Sequence, residues 1–247
     1  MRNIKLTIEY DGTNYLGWQR QKVGPTIQGT LEETLSRILN HRVHIRGAGR
    51  TDAGVHALGQ VANFKTTSSL DPASLGRALN ALLPRDMAII KVEEVDLKFH
   101  AQFSAKKKTY FYQILSRPVR SAIWRNYAWW VPDRLDLEAM KACLPYIQGR
   151  RDFASFRNTG TSTRTTVRTV FEATIKRVPV AGMIRFEITA DGFLRYMVRN
   201  LAGALVRVGQ GRMSPEDFVQ LLDARDRSLA PPPAPPQGLY LKEVIYD

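Results

Sequence analysis

The chain contains a single cysteine, Cys143, among its 247 residues. A lone thiol permits no internal disulfide and no cysteine-rich metal knuckle, which fits a reducing compartment. Long apolar runs are missing as well, since no stretch approaches the roughly 20 residues that a membrane-spanning helix needs. Near the start, Lys5 and Glu9 interrupt the only apolar segment that could serve for export, so the chain is expected to stay in the cytoplasm. Acidic residues are the third scarcity: 23 Asp plus Glu stand against 36 Lys plus Arg, a net charge of +13. What is present is otherwise ordinary, 44% hydrophobic and 24% charged, enough to bury a core in one or two globular domains.

The acid deficit is concentrated. From Leu97 to Pro132 there is no Asp or Glu, while Lys98, Lys106, Lys107, Lys108, Arg117, Arg120 and Arg125 fall there together with seven aromatic residues from Tyr110 to Trp130. Two further acid-free stretches carry Arg157, Arg164 and Arg168, then Arg195, Arg199, Arg207 and Arg212. Cations interleaved with aromatics suit phosphates and unstacked bases, so the expected partner is a nucleic acid.

Periodicity divides the chain into mixed elements. Ile4, Leu6, Ile8 and Tyr10 alternate with polar residues as in a half-buried strand, and Asp11-Gly12 closes it. A helix follows with Thr26 as N-cap and Ile27, Leu31, Leu35, Ile38 and Leu39 on one face; a second opens at Asp71-Pro72. Strands are expected at about 61–64, 88–95, 109–115, 166–178, 183–190 and 239–246. One helix is expected to carry Leu137, Met140, Leu144 and Ile147 and to end at Gly149, a long one to run from Phe193 to Val208, and a short one to begin at Ser214-Pro215. The run from Ala230 to Pro236 holds five prolines and reads as an extended spacer. Strands and helices in this irregular order predict an α+β fold, with domains at 1–104 and 105–247.

The most unusual segment is Gly47-Ala48-Gly49-Arg50-Thr51-Asp52-Ala53-Gly54-Val55-His56-Ala57. Its glycines do not match a dinucleotide fingerprint, whose third glycine would fall where Asp52 stands, and no Walker lysine follows. What remains is an aspartate among small residues, with Arg50 two positions earlier to hold it ionised.

The run from Gly49 to Ala57 resembles the active-site signature of the tRNA pseudouridine synthase A (TruA) family. Further similarities fall in the same order along the chain: Tyr10-Asp11-Gly12-Thr13, Gly17-Trp18-Gln19-Arg20-Gln21, Phe99-His100-Ala101-Gln102-Phe103-Ser104-Ala105, Lys108-Thr109-Tyr110-Phe111-Tyr112, Phe193 to Leu201, and Ala234 to Leu241. Gln102 departs from the family pattern, which has a basic residue there.

The resemblance implies an enzyme that isomerises uridine to pseudouridine at positions 38, 39 and 40 of the tRNA anticodon stem-loop. It implies Asp52 as the carboxylate acting at ribose C1′ or abstracting a ribose proton, Arg199 as its cationic partner, and Tyr110 as the tyrosine that stacks on the base. Arg50 and Arg195 would bind the RNA, and Leu239 with Leu241 would wall the flipped base. It also implies two α+β domains on antiparallel sheets, helices on one face of each, with the active-site cleft between them, and a homodimer that binds tRNA. A redox-neutral isomerisation calls for no cofactor and no metal, and His41, His44, His56 and His100 lack zinc-ligand spacing. The alternative is a non-catalytic RNA-binding or RNA-chaperone protein.

Overall fold

The alternation of Ile4, Leu6, Ile8 and Tyr10 forms strand β1 (Arg2–Tyr10), whose apolar side is buried. In the computed structural model, which describes residues 1–160 and 163–246, this strand lies at the centre of the first of two compact units. That unit comprises Met1–Lys106 and Tyr240–Asp247, and the second Lys107–Leu239.

In the first unit, helix α1 (Ile27–Leu39) begins where the Thr26 side chain accepts the Gly29 N–H, the expected cap. A short strand β2 (Arg46–Gly47), a long strand β3 (His56–Thr66), helix α2 (Pro72–Leu82) and strand β4 (Met87–Val95) follow. α2 starts with the Asp71 side chain accepting the Ser74 N–H and Pro72 at its first position. β1 pairs antiparallel with β3 on one side and β4 on the other, and β2 adds to β3. Ile4, Leu6 and Ile8 stand opposite Phe64, Ala62 and Gln60, and α2 covers this side, Gly76 lying against Val92.

The reverse side of this sheet carries two buried amides. Asn63 Nδ2 donates to Asn3 Oδ1 (2.9 Å), and Asn3 Nδ2 donates to the carbonyls of Asp96 (2.8 Å) and Phe99 (3.0 Å). Asn63 Oδ1 in turn accepts the Ala101 N–H at 2.9 Å. Each amide is satisfied, as burial demands, and together they tie the segment after β4 to the sheet.

The second unit contains β5 (Lys107–Ser116), β6 (Trp129–Val131), α3 (Leu137–Ala142), α4 (Leu144–Ile147), β7 (Gly149–Asp152), β8 (Val167–Arg177), β9 (Met183–Ala190), α5 (Met197–Gly209) and α6 (Pro215–Ala224). Its sheet runs β5-β9-β8-β7, all antiparallel, with β6 parallel beside β5. Tyr112 and Ile114 on β5 stand opposite Phe186 and Ile184 on β9, and all four are fully buried. α6 opens with a capping box: Ser214 Oγ accepts the Asp217 N–H, and Asp217 accepts the Ser214 N–H.

The last strand, β10 (Leu239–Ile245), pairs parallel with β3, Tyr240 opposite His56 and Leu241 opposite Ala57. Residues 240–246 therefore pack with the first unit, whereas a division at 104/105 leaves them in the second. The backbones of β3 and β10 approach so closely that a side chain on Gly59 would meet the Lys242 carbonyl oxygen at 2.5 Å. The architecture is the expected α+β, its sheets mainly antiparallel with one parallel strand in each unit.

Two expected helices differ. The one spanning Leu137 to Ile147 is broken at Cys143 into α3 and α4, because Pro145 has no N–H to continue the ladder. The long helix begins at Met197 rather than Phe193, because Tyr196 adopts the left-handed conformation (φ 67) and so cannot belong to a right-handed helix. Among the described residues no helix is long and apolar enough to cross a membrane.

Candidate active site

Asp52 sits, partly buried, between β2 and β3 in the first unit. Its carbonyl accepts the Val55 N–H (3.2 Å), closing a turn whose third residue, Gly54, takes φ +74. The preceding Thr51 is pinned twice: its carbonyl accepts the Trp18 N–H at 3.0 Å, and its hydroxyl shares a hydrogen bond with Tyr10 Oη at 2.8 Å. Burial pushes the Tyr10 phenol up to about 12, which keeps it neutral and available for this contact. On the far side, Gly54 N–H donates to the Tyr15 carbonyl (3.3 Å). Gly17, at φ +92, brings its backbone so close that a side chain there would meet the Thr51 carbonyl oxygen at 2.6 Å.

The carboxylate is thus carried by a short loop held at both ends by residues 15–18 and by Tyr10. Arg50, two residues earlier, is exposed. His56 follows in β3, its ring stacked on Tyr240 with centroids 4.7 Å apart and its Nδ1 3.1 Å from both the Gly12 N and Asp11 Oδ1.

In the second unit, Arg199 lies on the first turn of α5 and is only 8% exposed. Its Nε donates to the Ala234 carbonyl at 2.7 Å, and its guanidinium carbon lies 4.5 Å from the centre of the Tyr196 ring. Arg195, exposed, approaches the same ring at 5.3 Å. Tyr110 is buried on β5, edge-on to Phe193 with centroids 4.9 Å apart. Leu239 is buried in this unit, and Leu241 is fully buried in the first. The first unit therefore holds Asp52, Arg50 and Leu241, and the second holds Tyr110, Arg195, Arg199 and Leu239.

Known proteins resemble the chain along its whole length. The family model described as tRNA pseudouridine synthase matches residues 6–104 and 144–247. The chain is 45% identical over 246 residues to the tRNA pseudouridine synthase A 2 of Clostridium perfringens (strain 13 / Type A), covering all of both chains. It is 44% identical to the tRNA pseudouridine synthase A of Acetivibrio thermocellus and 43% to that of Thermoanaerobacter sp. (strain X514), again end to end.

The chain belongs to the tRNA pseudouridine synthase A family.

Several synthase motifs outside the Asp52 loop acquire local explanations from the geometry. Gly17-Trp18 is the brace of that loop, and the Trp18 indole also lies over Gly47 at the end of β2. The proline run before β10 proves to be more than a spacer. Ala234 N–H donates to the Arg199 carbonyl (3.0 Å), and Tyr112 Oη donates to the Pro235 carbonyl (2.6 Å). Arg227 donates to the carbonyls of Ala230 (2.8 Å) and Pro231 (3.2 Å). Proline-rich backbone has carbonyls but few N–H groups of its own, so side chains supply the donors.

Gly203 fits the same arrangement. A side chain there would meet the Pro232 carbonyl oxygen at 2.8 Å, so the space beside Arg199 on α5 is filled by the proline run. Tyr112 and Tyr196 are residues that the sequence did not single out for the site. Tyr112 had no signal beyond its place in the Lys108–Tyr112 motif, and Tyr196 looked like one more apolar position at helical spacing.

Proposed function

We propose that this family member isomerises uridine to pseudouridine in tRNA, at positions 38, 39 and 40 of the anticodon arm. The observation that carries the reading is the Asp52 carboxylate on a loop fixed from both sides, in a chain at least 43% identical over its length to proteins named tRNA pseudouridine synthase A. The reaction exchanges one bond for another within a nucleotide. The bond from C1′ to N1 breaks, the bond from C1′ to C5 forms, the proton on C5 departs, and N1 takes one up.

In this reading Asp52, ionised, acts at C1′ or removes a ribose proton, so the carboxylate must be anionic and close to a fixed positive charge. Arg199 supplies that charge, oriented by the Ala234 carbonyl and the Tyr196 ring. Tyr110 stacks on the extruded base and relays the C5 proton, with Leu239 and Leu241 as apolar walls, since chemistry on a base requires taking it out of the stack. The exposed side chains of Arg50 and Arg195 contact the RNA. The enzyme acts in the cytoplasm as a homodimer, and a monomer on sedimentation would overturn that part.

The test is tritium release from a tRNA transcript labelled at uridine C5. Wild type releases tritium, and Asp52→Asn binds the same RNA but releases it at least about a thousandfold more slowly. Binding without release by either protein would favour a passive RNA-binding protein.

A further inference from the structure

Phe103 is 78% exposed on a strongly basic protein. It is held rigidly nonetheless. His100 N–H donates to Ser104 Oγ (3.1 Å), Ser104 N–H donates to the His100 carbonyl (2.9 Å), and Ala101 between them is anchored to Asn63. The N–H groups of Gln102 and Phe103 both point to His100 Nδ1, at 3.1 and 3.3 Å. The imidazole lies against the Phe103 ring with centroids 4.3 Å apart and 31° between the planes. A flat aromatic face is thus presented to solvent from a closed turn, with a second ring behind it, so little conformational freedom would be lost when something stacks on it.

The rim of this face is cationic. Two backbone N–H groups face Nδ1 of His100, and its other ring nitrogen meets a guanidinium. Nε2 stands 3.3 Å from Arg46 Nη1, the exposed first residue of β2. Burial and the Arg46 charge hold the His100 pKa below its ordinary value, consistent with a neutral ring. A guanidinium therefore stands beside the aromatic face, and a phosphate oxygen is the acceptor that suits it. The chain from Leu97 to Pro132 offers no carboxylate to compete for that place.

We propose that Phe103, backed by the His100 ring, and Arg46 form a docking platform for one unpaired nucleotide of RNA, its base on Phe103 and its phosphate on Arg46. The proposal rests on the reading of the protein as an RNA-binding enzyme, and it assigns a contact outside the Asp52 loop. A generic protein surface would explain an exposed phenylalanine, but not its ring backed by an imidazole on a turn closed by hydrogen bonds, with a guanidinium beside it.

The experiment measures the dissociation constants of a fluorescent single-stranded oligouridylate and of a tRNA transcript over a range of salt concentrations. It compares wild type, Phe103→Ala, Phe103→Trp and Arg46→Ala. Loss of one base stack weakens binding about 5- to 150-fold in Phe103→Ala, and Phe103→Trp restores it. Arg46→Ala flattens the logarithmic salt dependence of oligouridylate binding by about 0.7, the contribution of one phosphate on a single strand. Unchanged affinity in Phe103→Ala overturns the platform, as does a tryptophan variant that binds no better than alanine. A shift in sedimentation with RNA affinity unchanged would assign the face to a contact between copies and equally overturn it. The two readings fail separately: tritium release with no effect of Phe103 removes the platform alone, and a Phe103 effect without tritium release removes the isomerase alone.

Discussion

Tyr196 holds a left-handed backbone conformation that costs a side-chain-bearing residue about 1–2 kcal/mol, and in return its ring lies under the guanidinium of Arg199. Glycine would remove that cost and the ring together. We therefore expect Tyr196→Gly to unfold at a urea midpoint no lower than wild type while turning over tRNA more slowly, and Tyr196→Phe to match wild type in both. Equal turnover by the glycine variant would show that the ring does not orient Arg199. The residue is a case where sequence spacing misleads: Phe193, Tyr196 and Met197 sit at helical intervals, yet periodicity carries no information about a φ angle. Asp52 was legible for another reason, the resemblance of the run from Gly49 to Ala57 to a family signature; the glycines alone, of which at 47, 49 and 54 only Gly54 takes a positive φ, read equally as a plain turn. Buried phenols add a titration at the same scale. Burial raises the pKa of Tyr10, to about 12, and of Tyr112, so each folded phenol holds its proton more tightly than the unfolded one. Their contribution is complete below the ordinary phenol value of about 10 and is lost as pH rises above it, at about 1.4 kcal/mol per pH unit for each group. Denaturant unfolding between pH 8 and pH 11 should show this decline, and Tyr10→Phe should make it shallower.

At the scale of elements, the helix starts were readable because their signals are local. Thr26, Asp71 and Ser214 each cap the helix that follows, and the distance from signal to consequence is three residues. Ser214→Ala removes one arm of the capping box on α6 and should cost about 1 kcal/mol by urea denaturation, without altering the salt dependence of RNA binding. The break between α3 and α4 was signalled by Pro145, but the apolar spacing of Met140, Leu144 and Ile147 continued across it. β6 and β7 escaped notice because three or four residues are too few to establish a period. Ala230 and Pro235 are extended as the sequence predicts, but Pro236 opens a short 3-10 turn, and the run's partnership with α5 was not legible, since the donors that satisfy it, Arg199, Tyr112 and Arg227, are remote from it or ambiguous in sequence.

At the scale of the whole molecule, a net charge of +13 makes RNA affinity a steep function of ionic strength, and its logarithm should fall linearly with the logarithm of salt concentration. Charge is legible from composition alone. Connectivity is not: nothing in the pattern of Leu239, Leu241 and Val244 distinguishes a strand that completes its own unit from one that returns to β3. That return also governs how the protein is made. The first unit lacks its parallel strand until β10 leaves the ribosome, and at about 5–20 residues per second the intervening second unit takes on the order of ten seconds to synthesise. For that interval the β10 side of β3 at His56 and Ala57, directly after the loop that bears Asp52, stands open in the nascent chain. Messages truncated before Tyr240 would therefore yield a product without its β10 strand, prone to aggregate rather than to persist as a slow enzyme.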